Sequence, residues 1–219
     1  GVGVKKAIAI ARRIDCEVKI ATLNFATIEA ANNQIERIAA SMSRNRGWEA
    51  SKHALRAILR DVISTLMRLT DAPGGERQTL LALVRELDRL SASDIALATG
   101  AEKDCVEANL AFLRALVPAD WERGPPPASC RLKGLREQFR PIRNHLIAHS
   151  MDVPNDLIES VRATRQLFKC VTELSASASA ICNLPVDDVN QRFAAALVEA
   201  NAFWGHVISG AERGASISD

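Results

Sequence analysis

The chain contains no tyrosine, and aromatic residues make up only 4% of its 219 residues. Strands favour aromatic and β-branched side chains, so this scarcity argues against a protein rich in sheet. Strict alternation of apolar and polar residues is almost absent as well, whereas apolar residues recur every three or four positions in nearly every segment. Composition and spacing together predict an all-α protein.

Long apolar runs are also missing. No run reaches the roughly eighteen residues that a membrane span requires, and the first residues lack the pattern of a signal peptide. The sequence therefore predicts no membrane association and residence in the cytoplasm. The start lacks an initiator methionine, so residues 1–4 and 210–219 are expected to be frayed or foreign to the natural chain.

Several chemistries lack their characteristic residues. The five cysteines are widely spaced, none forms a Cys-x-x-Cys pair, and we interpret them as buried or unreactive thiols. There is no glycine-rich phosphate loop and no Gly-x-Ser-x-Gly turn. His145 and His149 have a spacing that could seat two metal ligands, but Asp152 and Asp156 are only uncommitted candidates for a third. We therefore expect no cofactor and no catalytic metal.

Charge is distributed unevenly, although the formal net charge is only +2. Residues 131–149 contain five Lys or Arg against one Glu, whereas residues 94–122 contain six acidic residues against two basic ones. One interpretation is that the two segments lie side by side and neutralise each other. The other is that the basic segment forms a face reserved for phosphate.

The apolar spacing predicts about six to seven helices joined by short loops, which favours an antiparallel helical bundle. A single domain over residues 1–219 follows, because no linker is long enough to separate two domains. The predicted helices cover about residues 4–43 (with a break near Asp15), 48–70, 79–90, 102–117, 131–150, 157–183 and 185–209. Residues expected in the core are Leu55, Leu66, Val106, Leu113, Phe139, Ile142, Leu146 and Phe168. The inward face of the last helix is predicted to contain Val189, Phe193, Leu197, Ala200, Trp204 and Val207.

The segment from Arg140 to His149 contains most of the candidate site residues: two arginines, an asparagine and two histidines. On a helix, Leu135, Phe139, Ile142, Leu146 and His149 share an arc roughly 80° wide, which is the apolar stripe of an amphipathic helix. His145 borders one edge of this stripe, and Arg136, Arg140 and Arg143 follow the other. Pro141 predicts a kink or a fresh helix start, because it lacks the amide that the helix would use.

Arg143 and His149 form the most distinctive pair in this segment. An arginine fork suits phosphate oxygens, and a histidine near a helix C-terminus is favoured in its protonated form. Together they suit acid–base chemistry on a phosphodiester, although a buried histidine bonded to a backbone carbonyl is the simpler alternative. The two residues lie about 9 Å apart along one helix and about 120° around it. A second copy related by a two-fold axis is therefore expected to complete the site.

The order Arg143-Asn144-x4-His149 resembles the Arg-polar-x4-His signature of the HEPN superfamily of helical proteins. A longer stretch of the sequence, roughly residues 15–210, resembles the HEPN-like family named after the AbiU abortive-infection systems. Its pieces are Leu55-x-x-Ile-Leu59, Leu66-Met-Arg-Leu-Thr-Asp71, Thr79-Leu-Leu-x-Leu83 and Arg143-Asn-His-Leu-Ile-Ala-His-Ser150.

This resemblance implies a HEPN-like bundle that dimerises with its motif helices facing each other. It also implies a metal-independent endoribonuclease, often the toxin of a toxin–antitoxin or phage-defence system, with RNA and an antitoxin or regulatory protein as partners. His149 would act as base or acid, Arg143 would hold the scissile phosphate and Asn144 would orient it. His145, Arg140 and Arg136 would bind substrate. The alternative function is a non-catalytic helical module that binds a protein, a nucleotide or RNA.

Overall fold

The computed structural model describes residues 2–42, 47–71, 79–117, 155–185 and 188–215, together with positions 132, 134, 135, 137, 139 and 141. Across these residues the structure contains eight α-helices and no strand, which confirms the all-α prediction. The helices are α1 (Val2–Asn33), α2 (Ile35–Met42), α3 (Gly47–Leu69), α4 (Leu80–Leu87), α5 (Ala92–Thr99), α6 (Lys103–Leu116), α7 (Asn155–Ile181) and α8 (Val189–Ala215). The described positions between 132 and 141 are helical as well.

The first predicted helix is divided at a different place from the one expected. Helix α1 continues through Asp15 without a break and ends at Asn33. The Gln34 backbone amide then donates to the Ala31 carbonyl at 3.0 Å, while the Gln34 carbonyl accepts from the Ile38 amide and opens α2. A hydrogen bond to the third residue back tightens the chain into a turn, so one predicted helix becomes two.

Helix α5 was not predicted, although its two ends carry strong local signals. The Ser91 hydroxyl accepts from the Asp94 amide at 3.0 Å and caps the N-terminus. Gly100 ends the helix in the left-handed region, with φ of 75°, where a side chain is unfavourable. Ile95 is the one buried residue that α5 contributes, so the segment shows no apolar periodicity to reveal the helix.

The chain divides into two compact units. Unit 1 comprises Gly1–Lys19, Thr65–Arg140 and Arg165–Asp187, and unit 2 comprises Ile20–Ser64, Pro141–Thr164 and Asp188–Asp219. The assignment of the whole chain to a single domain stays a prediction.

Unit 1 is built around the apolar faces of its short helices. Helix α4 begins at the Thr79 cap, whose hydroxyl accepts from the Ala82 amide, and buries five of its eight residues. Helix α6 buries Val106, Leu110 and Leu113 at a spacing of four and three, as an amphipathic helix should. In the same unit, the Asn183 side chain donates to the Thr99 carbonyl at 3.0 Å and thereby fixes the end of α5.

Unit 2 is held by contacts of α8 with α1 and with the turn before α2. The Trp204 indole donates to the Thr27 carbonyl at 3.1 Å, and the Gln34 side-chain amide donates to the Asn201 side chain at 3.0 Å. The rings of Phe25 and Phe193 lie 5.9 Å apart. Because α8 supplies a residue to each of these contacts, its inward side is fixed by both polar and apolar partners.

The predicted core is confirmed wherever the structure describes it. Six of the expected residues have less than a tenth of their surface exposed: Leu55, Leu66, Val106, Leu113, Phe139 and Phe168. The other two, Ile142 and Leu146, lie outside the described residues.

The last helix has its inward face in the predicted direction but is longer than predicted. Its buried side chains are Ala196, Ala200, Trp204 and Ile208, whereas Val189, Phe193, Leu197 and Val207 are half-buried. The helix also continues through Gly210 to Ala215, and α1 already begins at Val2, although frayed ends were expected there. The periodicity identified both the helix and the direction of its inward face, because Ala200 and Trp204 belong to the predicted face and to the buried stripe.

Candidate functional site

The described part of the motif helix has the amphipathic register that the sequence predicts. Leu132, Leu135 and Phe139 are buried at a spacing of three and four, with 1% of Phe139 exposed. Gly134, Glu137 and Pro141 are exposed on the other side. The helical state of Phe139 and Pro141 shows that helical backbone is present on both sides of position 140. The apolar stripe that leads into the motif is therefore anchored in the core of unit 1.

The six candidate site residues lie outside the described residues. They are Arg136, Arg140, Arg143, Asn144, His145 and His149. Their assignment as catalytic or substrate-binding residues stays a prediction from the sequence, together with the predicted two-fold arrangement of Arg143 and His149.

The acidic segment that precedes the motif is described through α5 and α6. Asp94, Glu102, Asp104 and Glu107 are all exposed. The two basic residues of this stretch engage nearby acids, Lys103 with Glu107 at 3.5 Å and Arg114 with Asp88 at 2.6 Å. The described surface of α5 and α6 therefore carries excess negative charge, which disfavours contact with a phosphate backbone.

An ion cluster in unit 1 that the sequence does not reveal surrounds the buried Glu17. Glu17 is 5% exposed, and one of its oxygens accepts from Arg13 at 2.8 Å and from Arg68 at 2.9 Å. Its other oxygen lies 2.6 Å from the second Arg68 nitrogen. The carboxylate is therefore held by ion pairs on both oxygens, which gives Glu17 a structural role. The spacing of Arg13 and Glu17 is visible locally, but Arg68 is 51 residues away from Glu17.

The two histidines outside the motif lack the surroundings of an acid–base site. His53 on α3 and His206 on α8 are both exposed. Near His53, a hydrogen bond from Lys52 lowers the pKa of Glu49, and the charges of Lys52, His53 and Arg56 act in the same direction. These groups form a solvated charged surface rather than a cleft.

The described cysteines differ in exposure and reactivity. Cys170 and Cys182 are buried, Cys105 is half-buried and Cys16 is exposed. For Cys16 the prediction therefore depends on a lack of reactivity and stays a prediction. Burial raises the pKa of the Cys182 thiol to about 11, against a smaller opposing effect of the Arg12 charge. A thiol with so high a pKa is protonated at neutral pH and is a poor nucleophile.

Neither a metal site nor a membrane span is present in the part of the chain that the structure describes. No group of three or more His, Cys, Asp or Glu side chains there is arranged to hold a metal ion. None of the helices in that part combines the length and apolar character needed to cross a bilayer.

Comparisons with protein-family models, with curated proteins and with solved structures found no match to this chain. The class that the structure defines is therefore stated by its architecture, an all-α protein whose residues divide between two compact units.

Proposed function

We propose that the chain is a metal-independent endoribonuclease of the HEPN type, acting as the toxin of a toxin–antitoxin or phage-defence system. The observation that carries the proposal is the order Arg143-Asn144-x4-His149. The buried positions of Leu135 and Phe139 support it, because they match the amphipathic register from which the motif was placed.

The reaction needs only groups that this motif supplies. His149 accepts the proton of an RNA 2′-hydroxyl, whose oxygen attacks the adjacent phosphorus. The bond from phosphorus to the 5′-oxygen breaks, and protonated His149 returns its proton to that oxygen as it leaves. Arg143 stabilises the charge that develops on the phosphate oxygens, and Asn144 orients the phosphate. The products are a 2′,3′-cyclic phosphate and a free 5′-hydroxyl.

The remaining basic residues have a positioning role in this proposal. Arg136, Arg140 and His145 contact the RNA on either side of the scissile phosphate, since phosphate contacts fix the register of a bound strand. A two-fold homodimer brings two motif copies to a shared cleft. An antitoxin or regulatory protein restrains the activity, and the RNA substrate places the protein in the cytoplasm.

A second candidate function is a non-catalytic interaction module. The exposed apolar side of α8, where 71% of Val198 is accessible, favours this alternative because such a surface suits a protein partner. The two functions differ in their dependence on His149, which the module does not need.

The proposal is tested with purified protein and total RNA, in the presence and absence of EDTA. We expect cleavage that EDTA leaves unchanged and that Arg143→Ala weakens. His149→Ala lowers the cleavage rate by roughly 10²–10⁴-fold, as expected for loss of a general acid or base. His53→Ala removes an exposed histidine from α3 and serves as the matched control with wild-type activity. Cleavage that EDTA abolishes, or that persists in His149→Ala, means that this mechanism is wrong, and absence of cleavage favours the interaction module.

A further inference from the structure

Helix α8 has apolar residues on the side that faces away from its core as well as on the side that faces inward. Ala196, Ala200, Trp204 and Ile208 form the buried stripe. The opposite side, here called the outer face, contains Gln191, Ala195, Val198, Ala202, Gly205 and Ser209. Its four central residues are apolar, and the polar Gln191 and Ser209 stand at its two ends. Gln191, Ala195, Val198 and Ala202 are exposed, whereas Gly205 and Ser209 are half-buried.

Charge is nearly absent from this stretch. Between Arg192 and Glu212 the sequence contains one charged residue, Glu199, which at 100° per residue lies about 80° from the centre of the outer face. A helix on a protein surface is expected to have a polar outer side, whereas a helix that is apolar all round is normally buried. The middle of the outer face therefore has the composition of a covered surface.

The side chains of the outer face are small enough to allow close approach of another helix. A methyl group added at Gly205 would meet no other atom within 4 Å, so this position opens onto free space. Ala195 and Ala202 flank the larger Val198, so small and large side chains alternate along the face. When two helices pack together, the ridges of one fit into the grooves of the other.

We propose that the outer face of α8 pairs with the same face of a second copy of this chain, with the two helices antiparallel about a two-fold axis. An axis beside position 200 sets residue i opposite residue 400 − i. Val198 then lies against Ala202 of the second copy, and Ala195 lies against Gly205. The largest side chain of the face thus meets a small one, and each contact occurs twice, as an isologous interface requires.

The same register gives the polar ends of the outer face suitable partners. Gln191 of one copy lies opposite Ser209 of the other, and an amide can exchange a hydrogen bond with a hydroxyl. The polar pair falls at the rim of the interface and the apolar residues at its centre, which is the usual arrangement between protein partners.

The charges at the two ends of α8 select the antiparallel orientation. Asp188 caps the start of the helix, where its carboxylate accepts from the Asn190 amide at 2.9 Å and the Gln191 amide at 3.2 Å. Arg213 lies in the last turn, within about 20° of Asp188 around the axis. The antiparallel pair sets Asp188 close to Arg213 of the second copy at both ends, whereas a parallel pair would set like charges together.

The extent of the outer face limits how strong the pairing is. From Gln191 to Ser209 the face runs about 27 Å along the helix. One helix pair of that length buries less than the roughly 800 Å² per partner of a standard interface. The dimer is therefore a reversible one that dissociates on dilution. It does not depend on the proposed RNA chemistry and stands even if the protein cleaves no RNA.

The first experiment is sedimentation velocity of the full chain from about 1 to about 200 µM, a range around the micromolar affinities expected for a small interface. The wild type converts from monomer to dimer across this range. Ala202→Arg introduces two unpaired charges at the centre of the interface and raises the dissociation constant at least about 100-fold. Ala57→Arg, on the exposed side of α3, is the matched control and dimerises like the wild type. Circular dichroism verifies that both variants keep their helix content.

The second experiment fixes the orientation and uses a chain in which the exposed Cys16 is replaced by serine. Under oxidising conditions, a mixture of Val198→Cys and Ala202→Cys proteins forms a cross-linked heterodimer, because these positions oppose each other only in the antiparallel pair. A parallel pair would instead cross-link Val198→Cys with itself. The proposal is overturned by a wild type that stays monomeric throughout or by self-cross-linking of Val198→Cys in preference to the mixture. A dimer that Ala202→Arg leaves intact also overturns it and is the result expected if the motif helices alone form the dimer.

Discussion

Helices α7 and α8 have the same length of 27 residues, and both are rich in alanine and other small side chains. From Cys170 to Ile181, every side chain of α7 is buried or half-buried. Over a similar stretch of α8, Ala195, Val198 and Ala202 are exposed. The chain covers this stretch of α7 from all sides and leaves α8 open along its outer face. This stretch of α7 is thus covered within the chain itself, whereas the outer face of α8 is the surface that we propose for a second copy.

The largest expected difference between the two helices is their response to the same substitution. Ala178 of α7 is 1% exposed, so Ala178→Arg buries an unpaired charge and overfills the core. We expect the free energy of unfolding to fall by more than about 4 kcal/mol, which prevents stable folding. Ala202→Arg on α8 should change it by no more than about 0.5 kcal/mol in dilute solution. Urea denaturation followed by circular dichroism compares the two variants, and equal destabilisation would remove the distinction between the helices.

A second expected difference is pH dependence, which arises at the buried end of α7. Because the pKa of Cys182 is raised to about 11, folding favours the protonated thiol. This contribution is complete below the ordinary pKa of 9.0 and is lost as pH rises towards about 11, at a cost of roughly 3 kcal/mol.

Urea denaturation between these two pH values measures the effect. Cys182→Ala should flatten the pH dependence, whereas Cys16→Ala, at an exposed position, should leave it unchanged. If the free energy of unfolding falls with pH equally in the wild type and in Cys182→Ala, Cys182 is not the group responsible for the pH dependence.

The smallest expected effects come from Gly205 and Gly210, two of the glycines within α8. A methyl group at Gly205 or Gly210 would meet no atom within 4 Å. Replacing either glycine by alanine should therefore stabilise the monomer by about 0.5–1 kcal/mol. Gly205→Ala should also weaken the dimer a few-fold, because it fills the space opposite Ala195 of the second copy. Gly210→Ala, which lies about 100° from the centre of the outer face, should not. Identical dimer affinities in the two variants would argue against this interface.

The sequence was sufficient to predict core residues and helix register where local periodicity and burial agree. Leu55, Leu66 and Phe139 were expected in the core and are buried there, because apolar residues at a helical spacing have few other places to pack. The motif helix is correct in register for the same reason. Its functional residues, Arg143 and His149, lie outside the described residues, so their roles stay predictions.

Features that depend on distant partners or weak periodicity were missed. The contact of Glu17 with Arg68 joins residues 51 positions apart, and no local pattern indicates it. Helix α5 has a single buried residue, so its capping residues carried the only signal.

The most direct test of the central claim is the chemistry of the RNA ends that the protein produces. In EDTA, the wild type should cleave a defined RNA oligonucleotide into a 2′,3′-cyclic phosphate and a 5′-hydroxyl, and His149→Ala should do so roughly 10²–10⁴-fold more slowly. The same oligonucleotide with a single 2′-deoxynucleotide at the cleavage position should remain intact. Cleavage of that deoxy substrate at the same bond, or products that carry a 5′-phosphate, would contradict the mechanism.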